Sequence, residues 1–410
     1  MIYYFSIQME SERKSRSPIY EVNRGVFLVD GLARSAIYDT TRGKVYSINF
    51  QARNIVLDQP SSDVFYQQLE EVELVSRDRS PSETVFTRPS VGLDFMWLNL
   101  TSRCNLTCLH CYQESSPSVL EDTLELGDWE SVIEQGFAVG CRRLQFIGGE
   151  PLIFKEIFDL AAYAGDMGYE LIEIFTNGTL VNPERIETIK RLGINVAISL
   201  YSDIPEIHDS VTTKPGSFYQ TLNAMKLLKE AGVPTRVGVV VMRQNQNTVD
   251  STIRLVQEFG FGGGDSVDLI RTIGRGKNPA NFPDNEYVEK YGLMRKPLFV
   301  TSEQDFIRNC FYNPCWAGKI AVDSSGNSYP CVAARGHIVG NILEQSIEQV
   351  IEGTSLQQLW SLGKDDIEIC QLCEYRYACG DCRPLAETET DNQCAKTQRC
   401  TYNPVNGYWE

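Results

Sequence analysis

The chain has no long apolar run, no dense basic run and no low-complexity tract. Across its 410 residues no apolar stretch reaches the ~18 that a membrane helix needs, so a helical membrane protein is not expected. Lys and Arg number 38 against 54 Asp and Glu, a net charge of −16. Without a basic stripe to neutralise phosphates, nucleic acid is not an expected partner. An acidic surface is also repelled by anionic membranes. Met1 to Glu10 ends on an acidic residue and is read as having no apolar core of a signal peptide, so the expectation is a cytoplasmic protein. Hydrophobic residues make up 42% and charged residues 22%, which is ordinary for a globular chain of two or three domains.

What the chain does have is cysteine. There are thirteen. A reducing compartment disfavours disulfides, and the odd number fits them poorly, so metal ligation is the natural reading. Twelve fall in two groups, at 104–111 and 310–400. Cys141 stands alone and reads as a buried small hydrophobe.

Residues 1–92 contain no cysteine and read as a small domain. Val26 to Val29, Ser35 to Asp39 and Lys44 to Ile48 read as strands, the last two joined by a turn at Thr41-Arg42-Gly43. Asp63 to Val72 reads as a helix. Arg77 to Ser90, polar and with two prolines, reads as a linker. Over residues 93–300 the pattern becomes strand–helix alternation. Strands are predicted at Asp94–Leu100, Leu144–Ile147, Leu171–Phe175, Val196–Leu200, Arg236–Met242 and Val267–Arg271. Helices are predicted at Asp128–Ala138, Phe154–Met167, Pro183–Leu192 and Phe218–Ala231. Six βα units predict an α/β fold, a partial (β/α)6 parallel barrel. Residues 301–410 are cysteine-dense, with few long periodic segments, and read as a domain folded around metal.

The first cysteine group is Cys104-x3-Cys108-x2-Cys111, placed just after the first barrel strand. Thiolates are the soft ligands of iron–sulfur clusters. Three ligands on a four-iron cubane leave one iron open for substrate, as in catalytic metal sites. The alternative is zinc on these thiols and His110, but adjacent His110 and Cys111 do not easily point at one ion. The following strands also end in ligand-type residues. They are Gly148-Gly149-Glu150-Pro151, then Thr176-Asn177-Gly178, then Ser199-Leu200-Tyr201-Ser202. Glycines permit close backbone approach, the carboxylate can pair with an ammonium group, and hydroxyls and amides can bind ribose or a carboxylate.

This arrangement resembles the radical S-adenosylmethionine (SAM) superfamily over roughly residues 93–275. The resemblance implies that Cys104, Cys108 and Cys111 hold a [4Fe–4S] cluster whose open iron is chelated by SAM. It implies that Gly148, Gly149, Glu150 and Pro151 bind the SAM amino group and that His110 contacts adenine through backbone. It places Ser199 at ribose or carboxylate, with Thr176 and Asn177 also in the cofactor site. No Arg occupies the position that binds the SAM carboxylate in some relatives; Thr212 or Lys214 stands there. The implied reaction is one-electron cleavage of SAM to a 5′-deoxyadenosyl radical that abstracts hydrogen from a substrate.

The second group runs Cys310, Cys315, Cys331, then Cys370-x2-Cys373-x5-Cys379-x2-Cys382, then Cys394 and Cys400. On spacing alone two zinc sites or two clusters are open. The pattern resembles the SPASM extension of radical SAM enzymes that modify peptides or proteins. That implies two auxiliary [4Fe–4S] clusters, three in all. One would be held by Cys310, Cys315, Cys331 and Cys382. The other would be held by Cys370, Cys373, Cys379 and a late cysteine, Cys400 ahead of Cys394. The N-terminal strands and helix resemble the winged-helix-like recognition element of peptide maturases, in which a leader peptide adds a strand to a sheet edge. The plain alternative is a stabilising cap.

The function these resemblances imply is a peptide maturase that forms a thioether or carbon–carbon crosslink in a ribosomally made precursor peptide. It would draw electrons from a donor such as flavodoxin or ferredoxin. Oxidation of a residue in a folded protein, or processing of a small molecule such as a tetrapyrrole, is the alternative. A non-enzymatic metal-binding partner protein is a third. No general base is marked by spacing.

Overall fold

The structure, a computed structural model, describes residues 18–60, 62–119, 122–262, 267–294 and 297–410. The start of the chain, Met1 to Glu10, on which the cytoplasmic expectation leans, lies outside them. The chain divides into two compact units. One takes in Met1–Val91, Met294–Ala317 and Gln358–Glu410; the other takes in Gly92–Leu293 and Gly318–Gln357.

The first unit opens with strands β1 (Ile19–Asn23), β2 (Val26–Asp30), β3 (Ser35–Asp39) and β4 (Lys44–Ile48), helices α1 (Phe50–Asp58) and α2 (Val64–Glu71), and β5 (Ser82–Glu83). The sheet order is β4-β3-β2-β1-β5, antiparallel at each pairing. Asn49 and Asp63 cap the two helices through their side chains, each accepting backbone N–H bonds of the first turn. The period of two gives the central strands two buried faces. Val26, Leu28 and Ile37 face the helices, with Val56, Tyr66 and Leu69. Phe27 and Tyr38 face the other way, onto Phe306, whose ring centroid lies 4.8 Å from each.

Three expectations change here. The segment 77–90 is not a loose linker: Ser82–Glu83 pairs with β1, Phe86 lies edge-on to Phe27 at 5.4 Å, and Arg88 stacks on Tyr312 at 4.6 Å. Two elements were unread, β1 and α1; α1 buries only Val56 and so carries almost no apolar periodicity. The cysteine-rich part of this unit has an aromatic core of its own. Phe306, Trp316, Trp360 and Tyr377 are all fully buried. Single aromatics on short helices and turns leave no periodic signal, which is why the sequence reads as metal-organised.

The second unit carries six parallel strands: β6 (Phe95–Asn99), β7 (Arg143–Ile147), β8 (Leu171–Thr176), β9 (Asn195–Ser199), β10 (Thr235–Val241) and β11 (Val267–Leu269). They lie side by side in sequence order, so the predicted parallel array is present. The crossovers carry α3 (Leu126–Ala138), α4 (Ile157–Met167), α5 (Pro183–Arg191), α6 (Pro205–Thr212), α7 (Ser217–Ala231) and α8 (Val249–Glu258). Of these, α6 and α8 were not read from sequence. The far side of β6 is extended by β12 (Lys319–Val322), parallel to it, and then by the antiparallel β13 (Asn327–Tyr329) and β14 (Gly340–Asn341). The strand order is linear from β11 to β14, so the barrel is partial. Cys141 is buried, as expected of a small hydrophobe; burial raises its thiol to about 11 and it donates to the Arg143 carbonyl at 3.3 Å. Among the described residues no helix is long and apolar enough to cross a membrane.

Candidate iron–sulfur and SAM site

The ends of β6 to β9 converge on the loop that follows β6. This loop holds Cys104, Cys108 and Cys111 and makes few regular bonds of its own. It is held from three sides. The Thr107 and Leu109 N–H groups donate to the carbonyls of Thr212 and Val211 at the end of α6, at 3.3 and 2.9 Å. The Asn281 amide donates to the Leu109 carbonyl at 3.0 Å. Arg275 does the most. Its Nε donates to the Cys108 carbonyl and its Nη2 to the Ser115 carbonyl, both at 2.8 Å, and its backbone N–H donates to the Cys111 carbonyl at 3.1 Å. Gly274 precedes it with φ +54°, and a Cβ there would lie 2.5 Å from the Tyr112 carbonyl.

Arg275 was not singled out from sequence, because nothing in its own neighbourhood marks it. Two hydrogen bonds from a charged guanidinium are worth roughly 1.5–3 kcal/mol each. Arg275→Ala is therefore expected to cost roughly 3 kcal/mol and to loosen the loop. A thermal melt reads the first effect, and faster iron loss to a chelator reads the second. Arg275→Lys, lacking the planar fork, should recover only part of it.

The three thiols are mutual neighbours. Burial raises Cys104 to about 12, with Glu150 and Cys111 adding to it. Burial also raises Cys108, and the charges of Cys104 and Cys111 push it further, while Arg275 opposes. Two protein donors already point at Cys104 sulfur: the Leu106 N–H at 3.4 Å and the Asn177 amide at 3.8 Å. Three thiolates side by side need positive charge among them. Among the described residues no three Cys, His, Asp or Glu side chains converge on a single ion. A cubane takes each thiolate at a different iron, so the donor set fits a cluster.

Glu150 sits at the head of a short 3-10 turn, with Pro151 at its first position. Its carboxylate is fully buried and has partners within the protein. It accepts from Leu152 N–H at 3.1 Å, from Thr176 Oγ1 at 2.6 Å and from Asn177 N–H at 2.8 Å. Burial raises its pKa and these three bonds oppose the rise. The carboxylate thus ties the end of β7 to the end of β8. The glycines also differ from expectation. The close approach they permit is to the cysteine loop itself. A Cβ on Gly149 would lie 2.1 Å from the Arg103 carbonyl oxygen, and one on Gly148, at φ +149°, would lie 2.5 Å from that of Thr101.

Ser199 ends β9 and is half-buried. The nearby Tyr201 is buried; burial raises its hydroxyl, as do the charges of Cys108, Cys111 and Cys104, and a hydrogen bond with Ser199 opposes. Its ring lies edge-on to His110 at 4.8 Å. His110 is lowered to about 4 by burial and by Arg275, so it is neutral at pH 7. Its Nδ1 has no partner among the described residues. The Thr212 hydroxyl is buried and engaged, 2.6 Å from Ser217 Oγ and 3.2 Å from the Asp209 carbonyl. Tyr112, also unread, has its hydroxyl raised by burial, with Cys111 and Cys331 adding to the rise and Arg335 opposing. Next to it Gln113, with its amide turned to suit both neighbours, donates to the Gly148 carbonyl at 3.1 Å and accepts from Arg335 at 3.0 Å.

In the first unit, Cys370, Cys373 and Cys379 lie close together. Cys379 is raised to about 12 by burial, with Cys370 and Cys400 among the charges adding to it and Lys364 opposing. Cys370 likewise feels Lys364 and Cys400. Cys373 feels Cys379 and Cys370. Beside Cys394 stand instead Arg383 and Glu368. Lys364, 3% exposed, is ion-paired with Asp381 at 2.7 Å. Cys310 and Cys315 also belong to this unit, and so does Cys382; Cys331 belongs to the barrel unit. Cys310 donates to the Phe306 carbonyl at 3.3 Å.

A parallel partial barrel with a three-cysteine loop at its strand ends defines an iron–sulfur enzyme. The comparisons name the family. The Radical SAM superfamily profile matches residues 98–256, and that of the SPASM iron–sulfur cluster-binding domain matches residues 310–374. The chain belongs to the radical SAM superfamily and carries a SPASM extension; it binds SAM at one cluster and holds auxiliary iron–sulfur clusters besides. It is similar to an AdoMet-dependent heme synthase of Methanosarcina barkeri, 26% identical over 340 residues, 74% of this chain and 95% of that one. It is similar to the antilisterial bacteriocin subtilosin biosynthesis protein AlbA of Bacillus subtilis, 29% identical over 297 residues, 69% of this chain and 65% of that one. A PqqA peptide cyclase of Gluconobacter oxydans is 25% identical over 351 residues, 78% and 93% of the two chains. In fold it is similar to Streptococcus suis SuiB bound to its precursor peptide SuiA, with TM-score 0.56, 15% identity and coverage of 92% and 99%. It is also similar to anSMEcpe with bound AdoMet, with TM-score 0.57, 19% identity and coverage of 76% and 93%.

Proposed function

We propose that this chain is a peptide maturase that forms a thioether or carbon–carbon crosslink in a ribosomally made precursor peptide. The observation that carries this reading is the N-terminal sheet. Its outer strand β4 is paired on one side only among the described residues, and it presents an edge to which an extended peptide can add. The relatives support it: AlbA is named for the biosynthesis of a bacteriocin, the PqqA cyclase for a peptide, and SuiB has been captured with a precursor peptide. The likeness to SuiB covers 92% of this chain.

We assign Cys104, Cys108 and Cys111 to the SAM-binding cluster, and Cys370, Cys373, Cys379 and Cys400 to one auxiliary cluster. Cys400 is preferred to Cys394 because it stands among the other thiols. When bound, the cluster and SAM supply a 5′-deoxyadenosyl radical that takes a hydrogen atom from the substrate. The protein's own residues hold and shield. Arg275 and the end of α6 fix the cysteine loop. Glu150 locks the ends of β7 and β8 together, and Gly148 to Pro151 would hold the SAM amino group. Asn177 and Ser199 offer polar groups at the neighbouring strand ends, and the ring of His110 with the buried ring of Tyr201 excludes water. The Thr212 hydroxyl is taken up within the protein, so this residue meets the site through the carbonyl it gives to the loop. The reaction runs in the cytoplasm on a low-potential donor such as flavodoxin or ferredoxin.

A second reading has a specific support. The heme synthase of M. barkeri is covered over 95% of its length, which favours a tetrapyrrole substrate. Mass spectrometry separates the two. Reconstituted protein, SAM and dithionite are incubated anaerobically with the short peptide encoded beside the gene, or with an iron coproporphyrin. A peptide lighter by two hydrogens is expected. An unchanged peptide beside an altered porphyrin would move the assignment to the second reading.

A further inference from the structure

The N-terminal sheet and the segment around Cys373 are joined by a dense set of hydrogen bonds. Both lie in the first compact unit. The Leu32 N–H donates to the Leu372 carbonyl at 2.8 Å. The Tyr38 hydroxyl donates to the Glu374 carbonyl at 2.6 Å and accepts the Tyr377 N–H at 3.3 Å. Ser47, on the outer strand β4, donates to Glu374 Oε1 at 2.9 Å, and Tyr402 donates to the same oxygen at 2.6 Å. Arg376 donates to the Asp30 carbonyl at 2.8 Å and to that of Cys373 at 2.9 Å. The approach is so close at Gly31 that a Cβ there would lie 2.7 Å from the Glu374 nitrogen and 2.9 Å from the Leu372 carbonyl. Tyr38, Glu374 and Arg376 are all essentially without solvent exposure.

The segment so held, Glu374 to Tyr377, runs between Cys373 and Cys379. A stabilising cap would need only the apolar contact of Phe27 and Tyr38 with Phe306. Here all three strands reach the cysteine segment itself: β2 accepts from the Arg376 side chain, β3 bonds the backbone of Glu374 and Tyr377, and β4 bonds the buried Glu374 carboxylate. We infer that the N-terminal sheet is a wall of the auxiliary iron–sulfur centre, and that Tyr38 is a positioning residue for the ligands Cys373 and Cys379. The sheet expected to recognise peptide and the auxiliary centre are then one packed body, and Ser47 links the open edge strand to Glu374. This rests on the assignment of Cys370, Cys373 and Cys379 to a cluster.

The test uses the full chain with Cys104, Cys108 and Cys111 changed to alanine, so that only auxiliary clusters remain. This parent should hold roughly 8 irons per chain. Tyr38→Phe keeps the ring and removes two hydrogen bonds. It is expected to keep its iron but to shift the electron paramagnetic resonance signal and the midpoint potential of one auxiliary cluster. Gly31→Ala forces the hairpin off the segment and is expected to lose about four irons per chain. A Tyr38→Phe protein with the parent's signal and potential overturns the inference. A parent without auxiliary iron overturns the cluster assignment as well, which separates the two failures.

Discussion

Cys108→Ala is expected to abolish SAM cleavage while leaving the protein folded. The three loop thiols crowd one another: burial holds Cys104 up at about 12 and Cys108 higher still, and each raises its neighbour. That arrangement is tolerable for thiols and favourable for thiolates only around iron. Removing one ligand leaves two, too few to hold a cubane. Reconstituted wild type should carry roughly 12 irons per chain, and the variant roughly 8. The formation of 5′-deoxyadenosine should fall to background. The loop's backbone bonds, from Arg275, Asn281 and α6, do not involve the Cys108 side chain, so the thermal cost should be small, about 1 kcal/mol. A variant that retains full iron and nucleoside formation would remove Cys108 from the site.

Gly149→Ala is expected to be nearly as damaging, by a different route. Its Cβ would fall 2.1 Å from the Arg103 oxygen, 2.6 Å from the Arg103 carbonyl carbon and 3.1 Å from Cys104 Cβ. The first two are backbone atoms, which cannot swing aside as a side-chain tip can. Either the turn after β7 or the cysteine loop must move, and both carry the site. The Gly149 N–H bond to the Thr101 carbonyl, at 2.8 Å, and the Glu150 N–H bond to the Arg103 carbonyl, at 2.9 Å, would be strained together. Overpacking of this kind costs roughly 3 kcal/mol or more. The expected result is a lower melting temperature and loss of roughly four irons per chain. Gly127→Ala, in α3, where nothing lies within 4 Å of the new Cβ, is the control and should melt as wild type.

The barrel and its cysteine loop were legible because their signals are local. Strands of β-branched and aliphatic residues alternate with amphipathic helices, and each strand ends in a short polar motif. The family resemblance rests on the same stretches. Arg275 was not legible, since it lies far along the chain and acts by donating to carbonyls, which any sequence supplies. The roles of Gly149 and Glu150 were read as facing a ligand, whereas much of their work is to fasten loop to loop. That distinction depends on where Arg103 and Thr176 come to lie. The sequence places a boundary near residue 300, but the chain passes between units again at 317–318 and 357–358. The N-terminal segment reads as separable because its partners, Phe306, Glu374 and Tyr377, are remote and aperiodic. Deleting residues 1–92 is therefore a poor test of peptide recognition. It would strip Tyr38 and Gly31 from the Cys373 segment and damage the auxiliary centre along with any peptide site.

The most direct test of the account is stoichiometric. Anaerobic, reconstituted protein is given SAM, dithionite and the peptide encoded beside the gene, and 5′-deoxyadenosine and peptide mass are quantified together over time. The account predicts one nucleoside for each peptide made lighter by two hydrogens. Clusters fully assembled, with no nucleoside above the Cys108→Ala background, would contradict it.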